Sequence, residues 1–316
     1  MSTPSQLKEK LVTLFGGSGF LGTYVAQALL ERGARVRIAS RNPEKSFSLK
    51  PLANLGQLQF ARCDITNEAN LAACVDSADA VINLVGAFSG NLKRVMGEAP
   101  GEMARLAKAQ GASAFVHVSA IGADPESPTA YASTKAAGET KVSEAFPKAT
   151  VIRPSIIFGK DDNFLNMFGQ LIATAPILPV FGPDAKLQLA YVDDIAEAIV
   201  RAAEDPSSHG GKTFELGGPE VLTMMEINQR IAAAQGRSPT LLAMPDTASA
   251  IFAALPLTPM SSDQWTLLKA GSVASPDMPG FKQLGIEPKP LGLFLDKWMV
   301  RFRKHGRFGV PSPLES

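Results

Sequence analysis

The run Leu11–Gly22, LVTLFGGSGFLG, restricts the fold of this chain more than any other stretch. Leu11, Val12, Leu14 and Phe15 make an apolar segment of strand length. Gly16, Gly19 and Gly22 follow at GxxGxxG spacing, and FLGTYVAQALLERG then reads as a helix to Gly33. A buried strand that turns at once into a helix offers unpaired amides, and the positive end of the helix dipole, to whatever lies before the turn. Gly16 permits the tight turn, Gly19 lets a pyrophosphate approach the backbone, and Gly22 lets helix and strand pack closely. With 27 glycines in 316 residues, about 0.2 chance matches to three glycines at this spacing are expected. The strand before and the helix after therefore carry the assignment to a dinucleotide, against the alternative of a glycine-rich turn without ligand.

The alternation continues. Ala34–Ala39, Gln57–Ala61, Ala80–Val85 and Ser113–Val118 read as strands two to five, with helices over Asn67–Val75 and about Leu92–Gln110. A helix is predicted from Tyr131 to about Phe146, closed by Pro147, and a sixth strand at Thr150–Ile152. Strands separated by helices demand a parallel sheet covered on both faces, with a ligand crevice at the carboxyl ends of the strands. The fold class is therefore α/β, a doubly wound parallel sheet of Rossmann type. Past Arg153, prolines at 154, 176, 179 and 183 break the pattern. Residues 1–160 are assigned to the dinucleotide-binding domain and 161–316 to a smaller mixed substrate or partner domain, with about 183–218 returning to the Rossmann core. Asp193 and Asp194 stand at a helix start, Thr213–Leu216 reads as a strand, and Thr223 opens another helix. Helices are also predicted over Asp246–Leu255 and Asp263–Ala270.

A net charge of +1 gives no global attraction to nucleic acid or to an anionic membrane, so no nucleic-acid partner is expected. Cys63 and Cys74 are the only cysteines, and MSTPSQLKEK lacks the apolar core of a secretion signal, which points to a reducing cytoplasmic compartment. His117, His209 and His305 are scattered without ligand spacing, so no metal site is expected. Asn163–Gly182 is free of charge, but Pro176 and Pro179 break it; a buried helix followed by an extended segment is expected. Near the C-terminus Lys297, Arg301, Arg303, Lys304 and Arg307 alternate with Trp298, Met299, Phe302 and Phe308. Such a stretch suits an anionic membrane surface or a protein groove, or else a last helix packed on its own domain.

An acid at the end of the second strand would bind a ribose 2′-hydroxyl and repel a 2′-phosphate. Here Ser40, Arg41 and Asn42 occupy that position, with Lys45 close behind. Arg41 can pair with a phosphate and Ser40 can donate to it, which favours NADP(H) over the alternative NAD(H). Asp64, after the third strand, is placed to accept from the adenine amino group or to cap the next helix. Tyr131 and Lys135 stand at i and i+4 on one helix face, where an ammonium is expected to lower the phenol's pKa toward neutrality. Ser119 ends the fifth strand, where its hydroxyl could hold a substrate oxygen. Phe88, Phe158, Asn163, Phe164 and Tyr191, apolar or amide, suit many ligands and name no substrate.

GGSGFLG, the CDIT turn around Asp64, NLVG at Asn83–Gly86, VSAIGA at Val118–Ala123 and YASTK at Tyr131–Lys135 resemble the short-chain dehydrogenase/reductase superfamily. RPSIIFG at Arg153–Gly159 and YVDDIAEAI at Tyr191–Ile199 are similar to its extended and atypical branches. The resemblance implies an acid/base role for Tyr131, ribose binding by Lys135 and substrate orientation by Ser119. It places Gly16, Gly19, Phe20, Leu21, Gly22, Ser40, Arg41, Lys45, Asp64, Ile65, Val85, Gly86 and Pro154 at the cofactor, together with Tyr131 and Lys135. RPSIIFGKDDNFLNMF and VASPDMPGFKQLGIEPKPL resemble, more finely, the nicotinamide-binding accessory subunit of respiratory complex I and its bacterial relatives. That resemblance implies a tightly held NADPH without required turnover, respiratory subunits as partners, and a cytoplasmic protein peripheral on the inner membrane. A soluble epimerase, dehydratase or reductase acting on a sugar nucleotide or small carbonyl compound is the alternative. A regulator sensing the NADP(H) ratio is a third reading. Ala120 follows Ser119 where the extended branch often has a second small hydroxyl residue.

Overall fold

Every residue of Leu11–Phe15, here β1, is buried, as a strand covered on both faces requires. The chain is described by a computed structural model over residues 5–255, 260–304 and 306. β1 pairs in parallel with β2 (Arg35–Ser40) and β4 (Ala80–Asn83), and further parallel pairings add β3 (Leu58–Arg62), β5 (Ala114–Val118), β6 (Thr150–Pro154) and β7 (Thr213–Leu216). The strand order is β3-β2-β1-β4-β5-β6-β7, so the chain reverses direction across the sheet beside β1. In open sheets of this kind the ligand crevice lies at that reversal.

The longer helices of this unit are α1 (Phe20–Glu31), α2 (Glu68–Val75), α3 (Ala99–Ala109), α4 (Ala130–Ala145) and α5 (Val192–Glu204). Arg32, capping α1, pairs with Glu197 at 2.7 Å and Glu204 at 3.3 Å, which ties α1 to α5. Asn67, rather than Asp64, caps α2 by accepting from the Asn70 amide. The helix expected over Leu92–Gln110 is a π-helical turn, Lys93–Glu98, followed by α3. Pro100 explains the break: it has no N–H to donate, and the wider turn absorbs the lost bond. The Met96 carbonyl then faces α4 at Gly138, where a Cβ would lie only 2.1 Å from its oxygen.

Compactness divides the chain into a unit of residues 1–155, 192–217 and 274–287, and another of 156–191, 218–273 and 288–316. The sequence placed the boundary at 160 and the returning segment at about 183–218. The return instead begins at Val192, where α5 starts, and a second return at Ala274–Glu287 had no sequence signal. That second return is held by hydrogen bonds to its main-chain carbonyls: Glu215 N–H donates to the Pro279 carbonyl at 2.9 Å, and the Arg201 side-chain Nη1 donates to the Leu284 and Gly285 carbonyls.

In the other unit, Phe164–Thr174 is a helix and Ile177–Val180 an extended strand, the order expected for that uncharged stretch. The strand pairs in parallel with Thr240–Ala243. Thr223 opens the helix Met224–Ala234 through a reciprocal capping box with Glu226. The last helix, Gly292–Met299, buries Leu295 and Met299. Its Phe294 stacks on Tyr191 at 4.1 Å and on Trp298 at 4.9 Å. Arg303 donates to the Ala234 carbonyl and Arg301 to the Lys160 carbonyl. Trp298 of the basic stretch thus packs on Phe294 and, at 6.1 Å, on Phe158 inside its own unit. Arg307, Phe308 and His305 lie outside the described residues. No helix among the described residues is long and apolar enough to cross a membrane.

Candidate functional site

Three glycines form the corner between β1 and α1, and each has a separate reason. Gly16 has φ +76°, and a Cβ there would meet the Leu84 carbonyl carbon and the Val85 nitrogen at 3.3 Å. A Cβ on Gly22 would lie 2.6 Å from the Gly16 oxygen and the Gly17 Cα, so only glycine lets the helix fold back on the strand end. Gly19 is the N-cap of α1 with no side-chain cap, and its first turn carries no acidic residue. A Cβ on Gly19 would meet only the Gly16 oxygen, at 3.3 Å. The amides at the start of α1, from Phe20, Leu21 and Gly22, lie in the first turn of a helix that no side chain caps, at its positive end, a setting that fits a pyrophosphate. Phe20 packs edge-on against Tyr24.

At the carboxyl ends of β2 and β3 a groove of about 630 Å³ is lined by Arg41, Asn42, Arg62, Cys63, Asp64 and Asn70. Parallel pairing sets Ser40 opposite Arg62. Ser40 is 8% exposed and its Oγ has no hydrogen-bond partner. The two guanidiniums that line this groove fit an anionic group such as a 2′-phosphate, while Ser40, like Lys45, is not among the lining residues. Arg62 went unnoticed in the sequence, since nothing in its spacing links it to Arg41; only the strand register does. Lys45 is exposed on the 3₁₀ helix Pro43–Leu52 and is not among the residues lining the groove. Asp64 Oδ1 accepts from the Thr66 amide at 2.9 Å and the Thr66 hydroxyl at 2.8 Å. Those bonds, helped by Arg41 and Arg94, hold its carboxyl below the usual range, so it stays charged at the groove's rim. Ile65 and Val85 are half-buried and pack on the sheet's hydrophobic core.

Lys135, in α4, is buried, and its Nζ donates to the Val118 carbonyl at 2.9 Å and the Val85 carbonyl at 3.4 Å. A Cβ on Gly86 would lie 3.7 Å from the same Nζ. Val85, Gly86, Lys135 and the strand end before Ser119 therefore meet at one point. The turn holding Val85 is itself fixed by Asn83, whose Oδ1 accepts from the Val85 amide while its Nδ2 donates to His117 Nδ1 at 3.1 Å. Burial, reinforced by the Lys135 charge, pushes His117 down to about 3, so it is neutral and acts as a support. Ser119 is 4% exposed, and its Oγ has no hydrogen-bond partner. Pro154 is buried at the end of β6.

The expectation for Tyr131 is corrected. Burial pushes its phenol up to about 12 instead of down, and burial also lowers Lys135 to about 8, against the opposing effect of Glu139. The ammonium is directed at main-chain carbonyls, so the phenolate would lose water without gaining a strong cation partner. Phe88 stacks on the Tyr131 ring at 4.6 Å and 11°.

Residues 12–217 match the NAD dependent epimerase/dehydratase family. The chain belongs to that family. Among its relatives is the NADH dehydrogenase [ubiquinone] 1 alpha subcomplex subunit 9 of Arabidopsis thaliana, 31% identical over 94% of this chain and 79% of that protein. Two solved structures share the fold. One is the NADPH-dependent quinone oxidoreductase of Escherichia coli, complexed with NADPH: TM-score 0.71, 19% identity, 91% of this chain and 98% of that one. The other is the UDP-glucose 4-epimerase of Thermus thermophilus in complex with NAD: TM-score 0.67, 19% identity, 93% of this chain and 99% of that one. The epimerase/dehydratase fold is an NAD(P)-binding fold.

Proposed function

We propose that this protein is an accessory subunit of respiratory NADH dehydrogenase (complex I) that holds NADP(H) as a resident, mainly structural cofactor. The observation that carries the reading is the likeness to the Arabidopsis thaliana subunit, which runs through both compact units. The pyrophosphate would sit on the corner Gly16–Gly22, the ribose 2′-phosphate in the groove with Arg41 and Arg62, and the nicotinamide ribose near Lys135. When bound, the coenzyme supplies hydride chemistry; in this reading its task is to stabilise the folded chain by mass action. A phenol held at about 12 supports a binding role, since proton transfer near neutral pH needs a pKa close to the working pH. Placement on the cytoplasmic side of the inner membrane, peripheral and held by respiratory subunits, follows from the same proposal.

One observation favours the alternative of a reductase or epimerase: Ser119 Oγ is buried and unpartnered beside the Tyr131–Lys135 helix, ready for a substrate oxygen. The two readings separate on one variant. Tyr131→Phe should leave nucleotide content and co-purification with respiratory membranes at wild-type levels. A soluble homodimer whose substrate turnover disappears in Tyr131→Phe would overturn the accessory reading.

A further inference from the structure

Arg94 stands in the π turn Lys93–Glu98 and does not line the nucleotide groove, yet its side chain reaches the loop that forms the groove's rim. Its amide donates to Asn91 Oδ1 at 3.1 Å. Its guanidinium grips both oxygens of Glu102, Nη1 to Oε1 at 2.6 Å and Nη2 to Oε2 at 3.0 Å, and Nη1 also meets Glu98 at 3.4 Å. A bidentate pair of this kind fixes the plane of the guanidinium. Nη2 donates in addition to the Thr66 carbonyl at 3.0 Å, so one planar group bridges the first turn of α3 and the loop between β3 and α2. Lysine, with all its donors on one nitrogen, cannot hold a carboxylate by two bonds and a carbonyl by a third in one plane.

Thr66 passes that position on to Asp64. Its amide and hydroxyl both donate to Asp64 Oδ1, at 2.9 and 2.8 Å, and the Asp64 amide donates to Asn70 Oδ1 at 3.2 Å. Oδ1 is thereby occupied, whereas Oδ2 accepts no hydrogen bond among the described residues. Asp64 and Asn70 both line the groove, beside Arg41 and Asn42. The Arg94 charge is taken up by Glu98 and Glu102 and not by a direct bond to Asp64, so the Asp64 carboxylate keeps its capacity to accept. π turns inside helices gather at functional sites, and here the turn carries the residue that reaches across.

We propose that Arg94 is a positioning residue for base recognition: through Thr66 it holds Asp64 so that Oδ2 accepts from the 6-amino group of the coenzyme's adenine, and it thereby sets a preference for a 6-aminopurine. This inference rests on the cofactor reading above and adds to it the means by which one nucleobase is chosen. Hypoxanthine presents an oxygen where adenine presents the amino group, which sets two acceptors against each other and leaves the Asp64 carboxylate unpaired. Loss of Arg94 releases the Thr66 carbonyl and loosens the Asp64 loop without removing either of the groove's arginines. The phosphate contacts then persist while the discrimination between bases falls.

The test uses the full chain, stripped of nucleotide, and two coenzymes that differ only in the base: NADP⁺ and nicotinamide hypoxanthine dinucleotide phosphate, each titrated by calorimetry. Wild-type protein should bind NADP⁺ about tenfold more tightly, the order expected for one hydrogen bond to an exposed charged acceptor. Arg94→Met should cut that preference to about threefold or less, through weaker NADP⁺ binding, with the hypoxanthine coenzyme unchanged within about twofold. Thr66→Val, at an exposed position, removes the hydroxyl bond to Asp64 and should lower the preference in the same direction, which keeps the proposal open to refutation if Arg94→Met does not fold. In an Asp64→Ala background, Arg94→Met should change neither affinity further, whereas a general loosening of the fold would weaken both. Wild-type preference in Arg94→Met, or equal losses for the two coenzymes, would overturn the proposal, as would wild-type protein that binds both equally well. Wild-type protein that binds neither coenzyme would refute the cofactor reading itself, and this inference with it.

Discussion

Arg62→Ala tests the groove most sharply, because this arginine was found through strand register alone. A guanidinium bonded to a phosphate contributes about 1.5–3 kcal/mol when shielded from water. Arg41 and Arg62 are both exposed, so the lower end applies, and about 1.5 kcal/mol corresponds to roughly a tenfold loss of affinity. Isothermal calorimetry should therefore show NADPH weakened about tenfold by Arg62→Ala or Arg41→Ala and about a hundredfold by both together. NADH, without the 2′-phosphate, should change by less than about threefold, apart from any stacking of Arg41 on the adenine. The NADPH losses should shrink as salt is raised past a Debye length of about 8 Å. Equal losses for NADH and NADPH, or an Arg62→Ala variant that binds NADPH as wild type does, would refute the two-arginine clamp.

Two further outcomes follow from the same geometry. Gly138→Ala pushes a methyl against the Met96 carbonyl and should cost about 1–3 kcal/mol, read as a lower urea midpoint at unchanged m-value; an unchanged midpoint would contradict the close approach of α4 to the π turn. His117, at about 3 when folded and about 6.5 when unfolded, takes up its proton only on unfolding between those values. Its share of stability is complete above pH 6.5 and is lost as pH falls toward 3, by at most about 1.4 kcal/mol per unit. Urea unfolding between pH 7 and pH 5 should therefore lose about 2 kcal/mol more in wild type than in His117→Gln, and equal losses would show that His117 is not buried neutral.

Much of the Rossmann unit was legible because its signals are local. The apolar run Leu11–Phe15 could only be a covered strand, and the positive φ of Gly16 and the tight fit of Gly22 are the constraints that GxxGxxG spacing encodes. Strand ends moved by a residue or two; the fourth strand stops at Asn83 because Asn83 turns its side chain to cap the loop at Val85. What sequence could not show was environment. Spacing put Lys135 one turn from Tyr131, but only the packed structure shows that the ammonium is held by the Val118 carbonyl and that the phenol is desolvated. Arg62 and the return of Ala274–Glu287 depend on pairings between distant segments, which no local pattern carries. The basic aromatic stretch suits a membrane or its own domain by pattern alone, and only the packed structure shows Trp298 set against Phe158, well over a hundred residues earlier.

The central claim is that the corner at Gly16–Gly22 and the groove at Arg41 and Arg62 hold one phosphorylated dinucleotide per chain. Protein purified under native conditions, denatured in acid and analysed by mass spectrometry for released nucleotide, tests it directly. The account predicts NADP(H) at close to one per chain, lost in a Gly19→Glu variant that places a carboxylate before the α1 amides. Release of NAD(H) alone would contradict the 2′-phosphate assignment, and release of no nucleotide from protein that also takes up none would contradict the claim itself.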